Sequence, residues 1–364
     1  MFAWAPKRAR RLSQLYSERV MELTAPAPIR IVILTAALVA LTAASQAGQS
    51  RPVERFAFTT NDFWLNLHHY LYVLGRAHRG APDATQPAVA TAPYDEKQGL
   101  AQMSEEDRAI WDAAVNASSA GVSRQSSVFQ RPLSTMTIQL AGTGDVAGFP
   151  VASFDTAVRE VLERAAPVYR KTWWAKHRAM NEQYIARLQR QLDGEGAAVA
   201  RELSRIYQLS WPDRPYPTAV VAYANWQGAF SFTGELMVLS SNANALNDRW
   251  YPFESVFHES MHQWDDRFGR ALQAQAAQQG VAVAQDLSHA ILFFTVGYVI
   301  HQRHPEHEPL MDAANIWRGT LSGGREPVAR LRPAMQDAWK AYIEGKGTRD
   351  EALAVMVAAA ASVK

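Results

Sequence analysis

Asp248-Arg249-Trp250-Tyr251-Pro252-Phe253-Glu254-Ser255-Val256-Phe257-His258-Glu259-Ser260-Met261-His262-Gln263-Trp264 contains the pattern H-E-x-x-H. On a helix, residues four apart lie on one face, one turn above the other, so His258 and His262 can share one ligand. Two imidazoles at that spacing suit Zn²⁺, and Glu259 beside the first of them can serve as general base toward a water on the metal. Pro252 fits a first helical turn, where its missing N–H would be unpaired anyway. Glu254 falls in the same turn, where the helix dipole favours a carboxylate. Val256, Phe257 and Met261 supply apolar positions at helical spacing, and Gly269 offers a stop.

Outward from this stretch, the chain has 364 residues and 48% hydrophobic content, enough for one large domain or two. It has no cysteine, which excludes disulfides, thiolate zinc sites and a Cys nucleophile. A metal site here must use histidines and carboxylates. Lys7, Arg8, Arg10, Arg11 and Arg19 precede an apolar run from Ile31 to Leu41, and Ser45-Gln46-Ala47 fits a small-x-small cleavage site before Gly48. Residues 1–47 therefore read as a signal peptide, with an uncleaved anchor as the rival and Met1 or Met21 as the start. They hold six of the 37 Lys and Arg and two of the 35 Asp and Glu, leaving 31 against 33 in the remainder. That balance carries no basic patch for nucleic acid. The expectation is an exported protein, periplasmic or extracellular, that meets membrane only through its targeting segment.

Thr59 to Asp62 looks like a helix start, with apolar residues 63, 64, 67, 70, 71 and 74 at helical period and a stop at Gly75. His68 and His69 on that helix are adjacent, point about 100° apart and cannot chelate as the 258/262 pair can; both read first as packed or surface histidines, with His68 kept as a candidate for the site lining. Residues 79–98 read as a long loop, and Ser104-Glu105-Glu106-Asp107 as a helix cap. Gly142 to Gly148 lacks both the P-loop lysine and the dinucleotide spacing and reads as a turn. Phe154 to Leu192 reads as helix bent near Pro167, separated by Gly194 and Gly196 from a helix over Ala197–Leu209. Thr218 to Tyr223 and Glu235 to Ser240 are strand-like, giving a small antiparallel sheet just before the H-E-x-x-H helix. A helix near Arg270–Gln279 and a very apolar one near Ala284–Arg303 follow, and Thr348-Arg349-Asp350-Glu351 caps the last. The fold class is mainly α (α+β). Its regions are 1–47 for targeting, 48–215 as a helical part and 216–364 as the catalytic part, the last two compatible with one compact domain.

A catalytic zinc needs a third protein ligand and an open position. Position 268 holds Phe268, which excludes a third histidine six residues after His262, and no Glu occurs between Glu259 and Glu306. Glu306 and Glu308 lie in His301-Gln302-Arg303-His304-Pro305-Glu306-His307-Glu308, which reads as an exposed loop. His289 is the better candidate, since a polar side chain in so apolar a helix needs a partner and a metal would supply one. Asp265, Asp266 and Asp286 remain as alternatives. Glu254, Asp265, Asp266 and Asp286 can also orient ligand imidazoles. Tyr223, Tyr251 and Tyr298 are candidate hydrogen-bond donors to a transition state.

At these residues the chain resembles the zincin metallopeptidases, over the active-site helix and the strand-then-helix order from Thr218 to Gln263. His258-Glu259-Ser260-Met261-His262-Gln263-Trp264 is also similar to the H-E-x-x-H-Q-W run of some aminopeptidases, whose next Glu ligand would fall at Val281. The resemblance implies a zinc-dependent hydrolase acting on a peptide or protein substrate, and residues 1–47 add the expectation that it is secreted. Zn²⁺ would sit on His258, His262 and His289, with Glu259 as the catalytic base. It also implies a strand that takes an extended peptide by β-augmentation, for which Glu235 to Ser240 is the candidate. The alternative is a catalytically divergent or inactive zincin-like helical binding protein.

Overall fold

A computed structural model describes residues 55–81, 90–225, 228–242, 245–284, 287–319 and 328–361. The targeting segment and Asp286 lie outside these residues. Glu54–Lys364 forms one compact unit. Its strands are β1 (Phe56–Thr59), β2 (Tyr216–Val221), β3 (Ala229–Phe232) and β4 (Leu236–Ser240). Helices of eight residues or more are α1 (Phe63–His78), α2 (Ala92–Leu100), α3 (Glu105–Ala120), α4 (Arg131–Leu140), α5 (Thr156–Tyr169) and α6 (Ala175–Gln191). They continue with α7 (Ala197–Tyr207), α8 (Tyr251–Met261), α9 (Asp265–Gln279), α10 (Leu287–Arg303) and α11 (Arg349–Ala361). The fold is mainly helical with one small sheet, the α+β class expected. No helix among the described residues is long and apolar enough to cross a membrane.

The sheet is mixed, not antiparallel, with order β1-β2-β4-β3. β1 pairs with β2 and β2 with β4 in parallel; only β3 and β4 are antiparallel. The cause is where β3 goes. Its tight connection to β4, with Gly234 at φ 74°, makes a hairpin, and β3 takes the outside of that hairpin. β4 then runs beside β2 in the same direction. β1 joins from far upstream, in a four-residue strand too short to show an alternating pattern.

Successive strand residues point to opposite faces, which divides the core in two. Phe56, Tyr216, Val220, Met237 and Leu239 face the layer of α6 to α11. Ala219, Val221, Phe230, Leu236 and Val238 face the layer of α1, α3, α4 and α5. β4 is buried along its whole length, as its unbroken apolar run requires.

Several helix boundaries depart from the pattern for identifiable reasons. Gly75 does not end α1, which continues to His78. A Cβ there would come within 2.3 Å of Ser123 Oγ and 2.8 Å of Ser119 N, so the glycine permits close packing inside the helix. Gly269 likewise lies within α9. Gly194 and Gly196 do not break the α6–α7 run; the chain continues through a π-helical turn at Leu192–Gly196. A second π turn, Arg170–Trp174, follows Pro167, which cannot donate to the carbonyl one turn back. Ser104 Oγ accepts from Asp107 N at 3.2 Å, and Thr348 and Glu351 form a reciprocal cap, as expected. The Gly142–Gly144 turn is held by Asp62, whose carboxylate accepts from Gly142 N at 3.0 Å and Gly144 N at 2.8 Å.

Part of the expected 79–98 loop is helix α2, built on a buried carboxylate. Asp95 accepts from Lys176 and, at 2.6 Å, from His177 Nε2, so His177 Nδ1 accepts from the Tyr169 hydroxyl at 2.9 Å. These partners lie some eighty residues away, which is why composition alone reads as loop. Burial pushes the Asp95 carboxyl up, but His177 and Lys176 outweigh it and hold it below the ordinary value. Burial pushes the His177 imidazole down despite Asp95. A carboxyl held low stabilises the fold above its unfolded pKa of about 4 and loses that contribution as pH falls further. Asp95→Asn should therefore cost about 3 kcal/mol at pH 7 and progressively less between pH 5 and pH 3, read by urea unfolding at each pH. Wild-type and variant stability curves that stay parallel over that range would contradict this account.

Candidate metal centre

α8 carries the motif. Pro252 sits in its first turn, and the helix ends at Met261. His262 then opens a 3-10 turn, His262–Trp264, with helical backbone angles, so its side chain still projects from the face of His258. The two rings lie 5.1 Å apart. α10 packs across α8 and brings His289 to the same point. One ring nitrogen from each of His258, His262 and His289 lies within 4.8 Å of the other two. Among the described residues, no other group of three potential ligands converges in this way.

The donor set fits a metal. Tetrahedral zinc with bonds of about 2.05 Å would hold ligand nitrogens about 3.3 Å apart. His258 Nε2 and His289 Nε2 are 3.1 Å apart. Burial, then the neighbouring His262, pushes His289 down to about 3. Burial, then His262 and His289, likewise lowers His258 far below the ordinary value. Both rings are thus neutral near pH 7, the state that presents a lone pair to a metal.

The third ring is set differently. His262 Nδ1 donates to Asp265 at 2.8 Å, which leaves Nε2 as the free ligand atom. Burial lowers His262, but the Asp265 hydrogen bond and the Glu259 charge outweigh it and raise its pKa. Asp265 is therefore an orienting carboxylate and not one of the converging ligands. His258 Nδ1 is buried with no partner among the described residues. Its ring is held by packing, with Phe293 stacked on it at 3.6 Å and 22°. Phe293 lies one turn after His289, so one face of α10 supplies both a converging histidine and the wall that orients another.

Glu259 is buried beside this group. Its Oε2 accepts from Ser231 Oγ at 2.8 Å, and the same hydroxyl lies 3.2 Å from the Glu259 carbonyl. Ser231 comes from β3, on the sheet face toward α8, and sequence reasoning missed it. Only strand alternation next to a correctly placed β3 would have pointed to it. Burial pushes the Glu259 carboxyl above its usual range, opposed by His262 and the Ser231 hydrogen bond. Ser231, His262, His289 and Phe293 are half-buried, so the site opens to solvent on their side.

The remaining candidates lie elsewhere. Glu306 accepts from Trp250 Nε1 at 3.3 Å, and neither it nor Glu308 nor Asp266 joins the converging group. The expected loop after His301 is helix to Arg303, and His307 is buried, not exposed. Tyr223 is in the opposite core layer, Tyr298 donates to Glu344 at 2.6 Å, and Tyr251 packs on the His307 ring. His68 is on α1, across the sheet, against His69, whose Nδ1 donates to Ala224 O at 2.7 Å. The strand proposed to add a peptide, β4, is interior and paired on both sides; the edge next to it is β3.

Compared with known proteins, the chain matches no family model, no curated protein and no solved structure.

If the three histidines hold the metal, His289→Ala should abolish tight zinc uptake by the folded protein. Asp265→Ala should weaken it about 10- to 100-fold, as measured by competition with a chromophoric chelator. Unchanged zinc affinity in His289→Ala would move the third ligand to another group.

Proposed function

We propose that this protein is a zinc-dependent hydrolase, most directly a zincin-like metallopeptidase, with Glu259 as its general base. The observation that carries the reading is the convergence of His258, His262 and His289 beside a buried glutamate held by Ser231. His258, His262 and His289 would hold the zinc, which would supply Lewis acidity and lower the pKa of a water to about 7. Glu259 takes a proton from the attacking water and delivers it to the leaving amine nitrogen. The Ser231 hydroxyl fixes one carboxylate oxygen, so the proton transfers through a group of set orientation. Asp265 fixes the His262 tautomer, and Phe293 fixes the His258 ring.

β3 supports a peptide as substrate. Among the described residues it pairs with β4 alone, so its outer backbone groups are available to an extended chain. Ser231 is part of that strand and touches Glu259, so a peptide added there runs past the base. Tyr216 steadies the hairpin, donating to Phe232 O at 3.0 Å and accepting from Gly234 N at 3.2 Å. Export to a periplasmic or extracellular compartment fits the basic and apolar character of residues 1–47.

Glu259→Gln should retain zinc at wild-type affinity and lose at least about 100-fold of peptide hydrolysis, followed by mass spectrometry of an unstructured peptide mixture. Hydrolysis by this variant at the wild-type rate would rule out Glu259 as the base.

A further inference from the structure

The α8–α10 crossing has a second polar contact, away from the histidines. Glu254 lies one turn before His258 and is fully buried. Its carboxylate accepts from His307 Nε2 at 2.6 Å and from Leu310 N at 3.1 Å to each oxygen. His307 is itself buried, and its carbonyl accepts from His301 Nδ1 of α10 at 2.7 Å. Gly297 of α10 sits directly against this carboxylate. A Cβ there would come within 2.7 Å of Glu254 Oε1 and 2.8 Å of Pro309 Cβ.

The arrangement joins the two helices that supply the converging histidines. Glu254 stands one turn from His258, and Gly297 stands eight residues from His289. The segment after α10 closes the link, reaching back from His301 through His307 and Leu310 to Glu254. An apolar contact would stabilise this crossing without fixing its register, because hydrophobic attraction has no direction. Burying a carboxylate is costly, and replacing a whole buried polar pair by apolar side chains of similar volume is often neutral or stabilising. Hydrogen bonds from His307 and Leu310, with a glycine that admits no side chain, instead set the crossing to a narrow range. A three-histidine site needs such precision, within about 0.5 Å.

We infer that Glu254 is a positioning residue for the metal centre, acting through His307, Leu310 and Gly297 to hold His289 opposite His258. The inference rests on the proposal that His258, His262 and His289 bind zinc. The Glu254 carboxylate is bonded to His307 and Leu310 and not to the three rings, so it acts through the helix crossing.

The test measures zinc affinity of the folded protein by chelator competition, alongside the thermal midpoint of the zinc-free protein. Glu254→Leu keeps the volume and removes every directional bond. Its expected zinc affinity is about 10- to 100-fold weaker, beyond a fall in the zinc-free midpoint that comes from leaving His307 Nε2 and Leu310 N without their acceptor. Glu254→Gln keeps an accepting oxygen and should recover most of that loss. Gly297→Ala drives a methyl into the carboxylate and should weaken zinc binding in the same direction, which keeps the test decisive if Glu254→Leu does not fold. Wild-type zinc affinity in folded Glu254→Leu or Gly297→Ala would overturn the inference while leaving the metal site standing. A merely structural role would lower the zinc-free midpoint of Glu254→Leu and leave its affinity unchanged. Wild-type protein that takes up no zinc, or a His289→Ala variant that binds it equally well, would instead remove the metal reading and this inference with it.

Discussion

Three imidazoles with one nitrogen each inside a 4.8 Å span are a constraint on everything around them. Each ring presents a lone pair or a proton toward the others. His258 Nε2 and His289 Nε2 lie 3.1 Å apart, where the two rings can share one hydrogen. A cation there would meet a nitrogen of all three rings at once. The surrounding structure serves that point. α8 offers two rings at helical spacing, α10 adds the third, and Asp265 and Phe293 fix two of the rings by different means.

The sheet sets the other side of the site. Because β3 lies outside β4, the strand that reaches Glu259 is also an edge. A strand buried on both sides, like β4, would have no backbone groups left for a substrate. The hairpin therefore couples two requirements of the proposed chemistry, an oriented base and an open strand beside it. The other core layer, with Asp95, His177 and Tyr169 at its polar centre, holds α2 and α6 together and contributes no group to the converging histidines.

Much of this was legible in the sequence where the cause is local. The four-residue spacing of His258 and His262 depends only on helix geometry. His289 stands out because an imidazole in Leu287–Phe294 has few polar neighbours of its own. Ser104 and Thr348 act within one turn and were readable for that reason. What was not legible depends on partners distant in the chain. Ser231 matters only because β3 takes the edge beside α8. Glu254 looks like a carboxylate suited to a helix dipole, yet its hydrogen bonds come from His307 and Leu310, more than fifty residues on. Gly75 and Gly269 read as helix stops because glycine is permissive, but α1 keeps Gly75 for a close approach to Ser123. β1 is four residues long, and its place in the sheet is set by β2.

The central claim is that zinc on His258, His262 and His289 drives hydrolysis of a peptide bond. It is tested most directly by incubating the zinc-loaded protein with a mixture of unstructured peptides and following new termini by mass spectrometry. The same is then done after the metal is stripped with a chelator, and again after one equivalent of zinc is returned. The account predicts cleavage with zinc, none without it, and recovery on its return. Cleavage that survives stripping, or zinc-loaded protein that cleaves no peptide, would contradict it.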